Sequence, residues 1–133
     1  MTAVIYHNPD CGTSRNVLAA LQACGLEPVV IDYLSEGWTR AQLLGLFAAA
    51  DVTPRGALRE TKSPAAELGL LENGVSDDAL LEAMTRHPVL VNRPFVCTPK
   101  GVRLCRPSEV LLDLIDVPQG VVLAKEDGSP IIR

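Results

Sequence analysis

The sequence contains no C-x-x-C. Its four cysteines stand at positions 11, 24, 97 and 105. That spacing offers neither the dithiol of an oxidoreductase nor the paired ligands of a zinc knuckle, so no metal site is expected. The C-x5-R loop of tyrosine-phosphatase type is missing too, because six residues after Cys11 stands Val17. No apolar stretch approaches the roughly 18 residues of a membrane-spanning helix. The opening "MTAVIYHNPD" has no basic region leading into an apolar run, so the expected location is the cytoplasm, where thiols stay reduced. A net charge of −4 leaves no chain-wide basic field to recruit nucleic acid or an anionic membrane. Any anion site must be a local cluster of basic residues.

What is present is an ordinary globular chain: 133 residues, 47% apolar and 21% charged, enough for one domain with a proper core. "AVIY" (3–6) reads as a buried strand and "PVVIDY" (28–33) as a second. Between them Ser14 is placed as the N-cap of a helix carrying Val17, Leu18 and Leu21 on one face, with Gly25 as its stop. A right-handed crossover would make the two strands parallel. Residues 36 to about 87 read as helical throughout. Thr39 with Gln42 forms a capping-box pattern, Thr53-Pro54 and Ser63-Pro64 pair an N-cap with a first-turn proline, and Ser76 opens "DDALLEAMTRH". "VLVN" (89–92), "FVCT" (95–98) and "VRLC" (102–105) are strand-like, and "RPSEVLLDLI" (106–115) gives a closing helix. The tail after about residue 116 shows turn residues without a period. The order β-α-β, helices, β-β-α predicts an α/β fold: one thioredoxin-like domain over 1–133 with a helical insertion at about 36–87. A flavodoxin-type sheet would need more βα units.

Cys11 lies between a strand and a helix N-terminus, a poor position for packing and a good one for chemistry. An unperturbed cysteine is only about three per cent thiolate at pH 7. A helix N-terminus offers unpaired N–H groups and about half a positive charge. Lowering the pKa by about two units makes the thiolate the major form and takes roughly 2.7 kcal/mol of environmental preference. His7 could add to this if its charged form is nearby, and Ser14 through a hydroxyl directed at the sulfur or at a bound anion. Since Ser14 stands where a dithiol motif has its second cysteine, this is a monothiol site that needs a thiol from elsewhere.

Arg15, Arg59, Arg93 and Arg106 fall in or beside loops and element ends. In a thioredoxin-like fold, Arg93-Pro94 occupies the loop that faces the cysteine-bearing helix. Guanidiniums converging there would form an oxyanion pocket with bidentate donors, although spacing alone cannot show convergence.

"YHNPDCGTSRN", "LVNRPFV" and "RLCRPSEVLLDL" resemble the glutaredoxin-linked arsenate reductases of bacterial arsenic resistance, and the likeness runs from Ile5 to about Gly128, including "KEDG". The resemblance implies that Cys11 attacks arsenate, that Arg59, Arg93 and Arg106 bind the oxyanion, and that His7 and Ser14 assist thiolate formation. Arg15 matches the loop pattern without an assigned role. It further implies glutathione as co-substrate, glutaredoxin as partner and no bound cofactor. Cys105 matches a motif cysteine treated as dispensable for turnover, yet its neighbour Arg106 makes it a candidate for lying near the pocket. Cys24 and Cys97 are expected to be packing residues.

Two rivals share the fold group. Spx-type redox-responsive regulators carry C-x-x-C in the first loop and lack the arginine pattern, the opposite of this chain on both counts. Relatives acting on another substrate, with a "C-S-K-S-R"-like loop, are disfavoured by Cys11-Gly12-Thr13-Ser14.

Overall fold

The structure, a computed structural model, describes residues 2–133. Its chain divides into two compact units, one made of the chain up to Asp32 together with Arg93–Arg133, the other of Tyr33–Asn92.

The first unit is built on four short strands: β1 (Val4–His7), β2 (Val29–Asp32), β3 (Phe95–Thr98) and β4 (Gly101–Leu104). Their spatial order is β2-β1-β3-β4. β1 pairs with β2 in parallel, Val4 opposite Val29 and His7 opposite Asp32, as the crossover through a helix requires. β1–β3 and β3–β4 are antiparallel. The crossover helix α1 (Gly12–Ala23) buries Ser14, Val17, Ala20 and Leu21, one face at helical spacing. Gly25, at φ +81°, ends it: its N–H donates to Gln22 O at 2.9 Å and that of Leu26 to Leu21 O at 3.1 Å, a Schellman closure. Val17 and Leu21 pack with Ile5, Val96, Leu111, Leu114 and Cys105 into one apolar cluster, each fully buried Leu or Ile contributing about 1.5–3 kcal/mol. This is the thioredoxin-like core expected from the element order.

The second unit contains α2 (Tyr33–Glu36), α3 (Arg40–Ala50) and α4 (Asp77–Arg86). Thr39 and Gln42 close the capping box at the start of α3, and Ser76 caps α4 through the Ala79 N–H. Arg40 pairs with Asp78, and the Tyr33 and Trp38 rings stack at 5.3 Å.

Several local expectations are corrected. Residues 51–76 are turns, not helix. Thr53 and Ser63 do cap, accepting from the Gly56 and Ala65 N–H groups at 3.0 and 3.2 Å, but each starts only a single turn. Gly69, at φ +71°, leaves the helical region directly after the second. "VLVN" is a 3-10 turn at Pro88–Leu90 followed by one isolated bridge, Val91 to Leu58. The closing helix is 3-10 over Ser108–Asp113. The tail has structure: Ala124 bridges Pro130, and the Ile131 N–H donates to Leu123 O at 2.9 Å. Leu123 and Ile131 belong to the core. No helix among the described residues is long and apolar enough to cross a membrane.

Candidate active site

Cys11, not Ser14, is the N-cap of α1, with extended backbone at φ −103°, ψ 122°. Its carbonyl accepts from the Arg15 N–H at 3.0 Å and its own N–H donates to Asn8 O at 3.1 Å. The sulfur therefore stands at the positive end of the helix, in a residue only 6% exposed. Asn8, which sequence reasoning passed over, holds the turn: its Oδ1 accepts from the Asp10 N–H at 2.9 Å. The Asn-Pro-Asp signature was the available signal for it.

Ser14 is fully buried inside the first turn of α1. Its Oγ accepts from the Asn8 N–H at 3.0 Å and lies 2.6 Å from His7 Nδ1. The hydroxyl thus ties the end of β1 to the helix that carries the cysteine. Burial lowers the His7 pKa, with Asp32 pulling it back up and Arg15 adding to the drop. The neutral imidazole is favoured at pH 7, so a charged His7 attracting the thiolate does not fit. His7 and Ser14 support the loop as neutral partners.

Two arginines from distant parts of the chain meet Cys11. Arg106 Nη1 lies 3.6 Å from Cys11 Sγ and donates to the Arg93 carbonyl at 3.2 Å. Arg93 precedes Pro94 and Arg106 precedes Pro107, both across cis peptide bonds. Burial pushes the Cys11 thiol up. The Ser14 N–H, the hydrogen bond and charge of Arg93, and the charge of Arg106 more than offset it, leaving the pKa below the ordinary thiol value. Here is a nucleophile held towards its anion, beside guanidiniums able to take the oxygens of a tetrahedral anion.

Comparison with known proteins places this arrangement. The profile of the ArsC family matches residues 6–114. The chain belongs to the ArsC family. It is 69% identical over 129 residues to arsenate reductase ArsI2 of Synechocystis sp., covering 97% of this chain and 92% of that protein. It is 48% identical over 128 residues to an arsenate reductase of Escherichia coli, covering 96% and 91%. Among solved structures, an arsenate reductase from Vibrio cholerae superposes with a TM-score of 0.81 at 38% identity, covering 86% of this chain and 98% of that one.

The other residues singled out from sequence divide. Cys105 does not join Cys11: it is fully buried in the core of this ArsC-family chain, and burial pushes its thiol up to about 12. The Cys24 and Cys97 thiols are also raised by burial. Arg59 belongs to the second unit, where its Nε donates to Thr61 O at 3.1 Å and its backbone N–H to Leu90 O at 2.7 Å. Arg15 turns to the tail, its Nε donating to Glu126 Oε1 at 2.6 Å and its Nη1 to Pro9 O at 2.9 Å. Among the described residues no group of three or more His, Cys, Asp or Glu side chains is gathered as a metal site.

Proposed function

We propose that this chain is an arsenate reductase that converts arsenate to arsenite through a covalent adduct on Cys11, with glutathione and glutaredoxin supplying the electrons. The observation that carries the reading is the Arg106 guanidinium 3.6 Å from the Cys11 sulfur at the tip of α1. The relatives named as arsenate reductases, at 69% and 48% identity over nearly the whole chain, support the choice of anion.

The steps follow from the groups present. The Cys11 thiolate attacks arsenic and an arsenate oxygen leaves as water, forming an S–As(V) bond. Arg93 and Arg106 neutralise charge on the remaining oxygens, the kind of preorganised stabilisation that usually supplies the largest share of catalysis. With Ser14 in place of a second loop cysteine, the resolving thiol comes from outside. The glutathione thiol displaces a second oxygen, which leaves as water, and becomes bonded to arsenic. Glutaredoxin then attacks the glutathione sulfur. The bond from arsenic to the glutathione sulfur breaks and its electron pair stays on arsenic, reducing As(V) to As(III) still bound to Cys11, while a glutaredoxin–glutathione mixed disulfide departs. Water releases arsenite and returns Cys11 as thiolate. Phosphate, a tetrahedral anion of the same charge, enters without being reduced and inhibits weakly by competition.

Purified protein with glutathione, glutaredoxin and arsenate should produce arsenite, and Cys11→Ser should not. Equal rates in the two would remove Cys11 from the mechanism. Undiminished turnover without glutaredoxin would remove that partner.

A further inference from the structure

The tail hairpin contacts both segments that flank the anion site in the chain, at Arg15 and at Glu109. Leu123 and Ile131, 4% and 2% exposed, root it in the core, and the Lys125 N–H donates to Ser129 O at 2.8 Å across its neck. From its tip Glu126 grips Arg15 with both oxygens, at 2.6 Å to Nε and 3.2 Å to Nη2, and its backbone N–H donates to Asn16 Oδ1 at 2.9 Å. Arg15 in turn donates to the Pro9 carbonyl, so the turn before Cys11, the first turn of α1 and the tail are joined at one guanidinium. The neighbouring Lys125 pairs with Glu109 Oε1 at 2.7 Å, both side chains mostly shielded from solvent. Glu109 stands in the 3-10 segment that follows Arg106. Two adjacent residues of opposite charge thus fasten one hairpin to the helix whose N-cap carries the sulfur and to the 3-10 segment that begins two residues after Arg106.

We propose that this hairpin is a brace that sets the spacing of Cys11 and Arg106, with Lys125 and Glu126 as positioning residues for the anion site. The inference rests on the arsenate reading for its substrate, but not for its geometry. Glu126 also occupies Arg15, whose Nη1 donates to the Pro9 carbonyl in the turn before Cys11. Each pair taken singly is a modest interaction; both acting on one hairpin restrain two elements far apart in sequence.

The test compares wild type with Lys125→Gln/Glu126→Gln in arsenate turnover and in alkylation of Cys11 by iodoacetamide at pH 7, read site by site by mass spectrometry. Circular dichroism and thermal melting confirm folding. The double variant should raise the KM for arsenate about five- to tenfold, with a smaller change in kcat, and slow Cys11 alkylation about threefold. The charge swap Glu109→Lys/Lys125→Glu, which rebuilds one pair in reverse, should recover to within about twofold of wild type, while Lys125→Glu alone should not. A folded double variant with unchanged KM and alkylation overturns the brace, and so does a swap no better than Lys125→Glu alone. If wild type itself makes no arsenite, the functional reading fails separately, and the alkylation rates, which need no arsenate, decide the brace by themselves.

Discussion

Cys11 and Cys105 are both buried, 6% and 0% exposed, and both belong to the same unit, yet their surroundings drive their thiols in opposite directions. Arg106 is the chain neighbour of Cys105, but its guanidinium faces Cys11, 95 residues away in sequence. Cys105 belongs to the same apolar core cluster as Val17, Leu21 and Leu111, and burial pushes its pKa to about 12, with Arg103 pulling only partly against it. Around Cys11 burial is again the largest influence, but a helix amide and two guanidiniums outweigh it. Burial alone therefore does not decide whether a thiol is inert. The decision lies in whether oriented positive charge shares the buried space.

Removing that charge is the strongest way to break the comparison. Arg106→Ala should move the pH midpoint of Cys11 alkylation upward towards the ordinary thiol range and cut arsenate kcat/KM by about two to three orders of magnitude. Arg93→Ala should act in the same direction, since Arg93 both hydrogen-bonds and attracts the sulfur. Arg40→Ala, which disturbs only the α3–α4 pairing with Asp78, should stay within about twofold of wild type. A uniform response across the three would count against a shared anion pocket. Arg59→Ala extends the series to the third guanidinium implied by the family: a loss matching Arg93→Ala assigns it to the oxyanion, and a response like Arg40→Ala removes it.

A smaller effect separates support from charge. Ser14→Ala leaves the amide that faces Cys11 but deletes the hydroxyl shared by His7 and the Asn8 N–H. Asn8 is 3% exposed, so its N–H would lose a partner that water cannot easily replace. The expected outcome is about 1–3 kcal/mol of lost stability in urea unfolding, with kcat/KM down about tenfold. The alkylation midpoint should move less than in Arg106→Ala. A larger shift in Ser14→Ala would mean that the hydroxyl, not the guanidiniums, holds the thiolate.

The same contrast shows where sequence reasoning works. Cys11 was legible because strand, turn and helix signals bracket it within a dozen residues, and Ser14 three residues on excludes a disulfide within the loop. Arg93 and Arg106 were legible only through their motifs, because convergence across the chain leaves no trace in spacing. The sheet, α1 and the caps of α3 and α4 follow from local pattern. What failed was propagation: Thr53 and Ser63 have the right cap chemistry, but a cap starts a helix without sustaining it. Ser14 looked like the N-cap because Ser is the preferred residue there, whereas the structure gives that position to Cys11 and uses the serine hydroxyl to hold His7. Cys105 was misplaced towards the pocket because its sequence neighbour is an arginine, and neighbours along a strand's end point different ways. The tail was unreadable because Glu126 finds its partner 111 residues upstream.

The smallest effect tests the inert half of the comparison. Cys105 holds its proton more tightly folded than unfolded, so its contribution to stability is fully present below the unfolded thiol pKa of about 8.5 and is lost as pH rises towards 12. Cys11 has the opposite sign: its depressed folded pKa gives stability that is present above the unfolded value and lost as pH falls through the folded one. Replacing Cys105 by Ala should therefore change the pH slope of stability in one direction only. Measured by urea unfolding at pH 8 and pH 10, the stability of wild type minus that of Cys105→Ala should shrink by roughly 2 kcal/mol. Every other ionisable group is common to the two proteins and cancels in the difference. The same comparison with Cys11→Ala should instead widen slightly as pH rises towards 8.5. If the Cys105 difference were flat, its thiol would ionise alike in both states, and the contrast between an apolar core and a charged helix tip would lose its inert member.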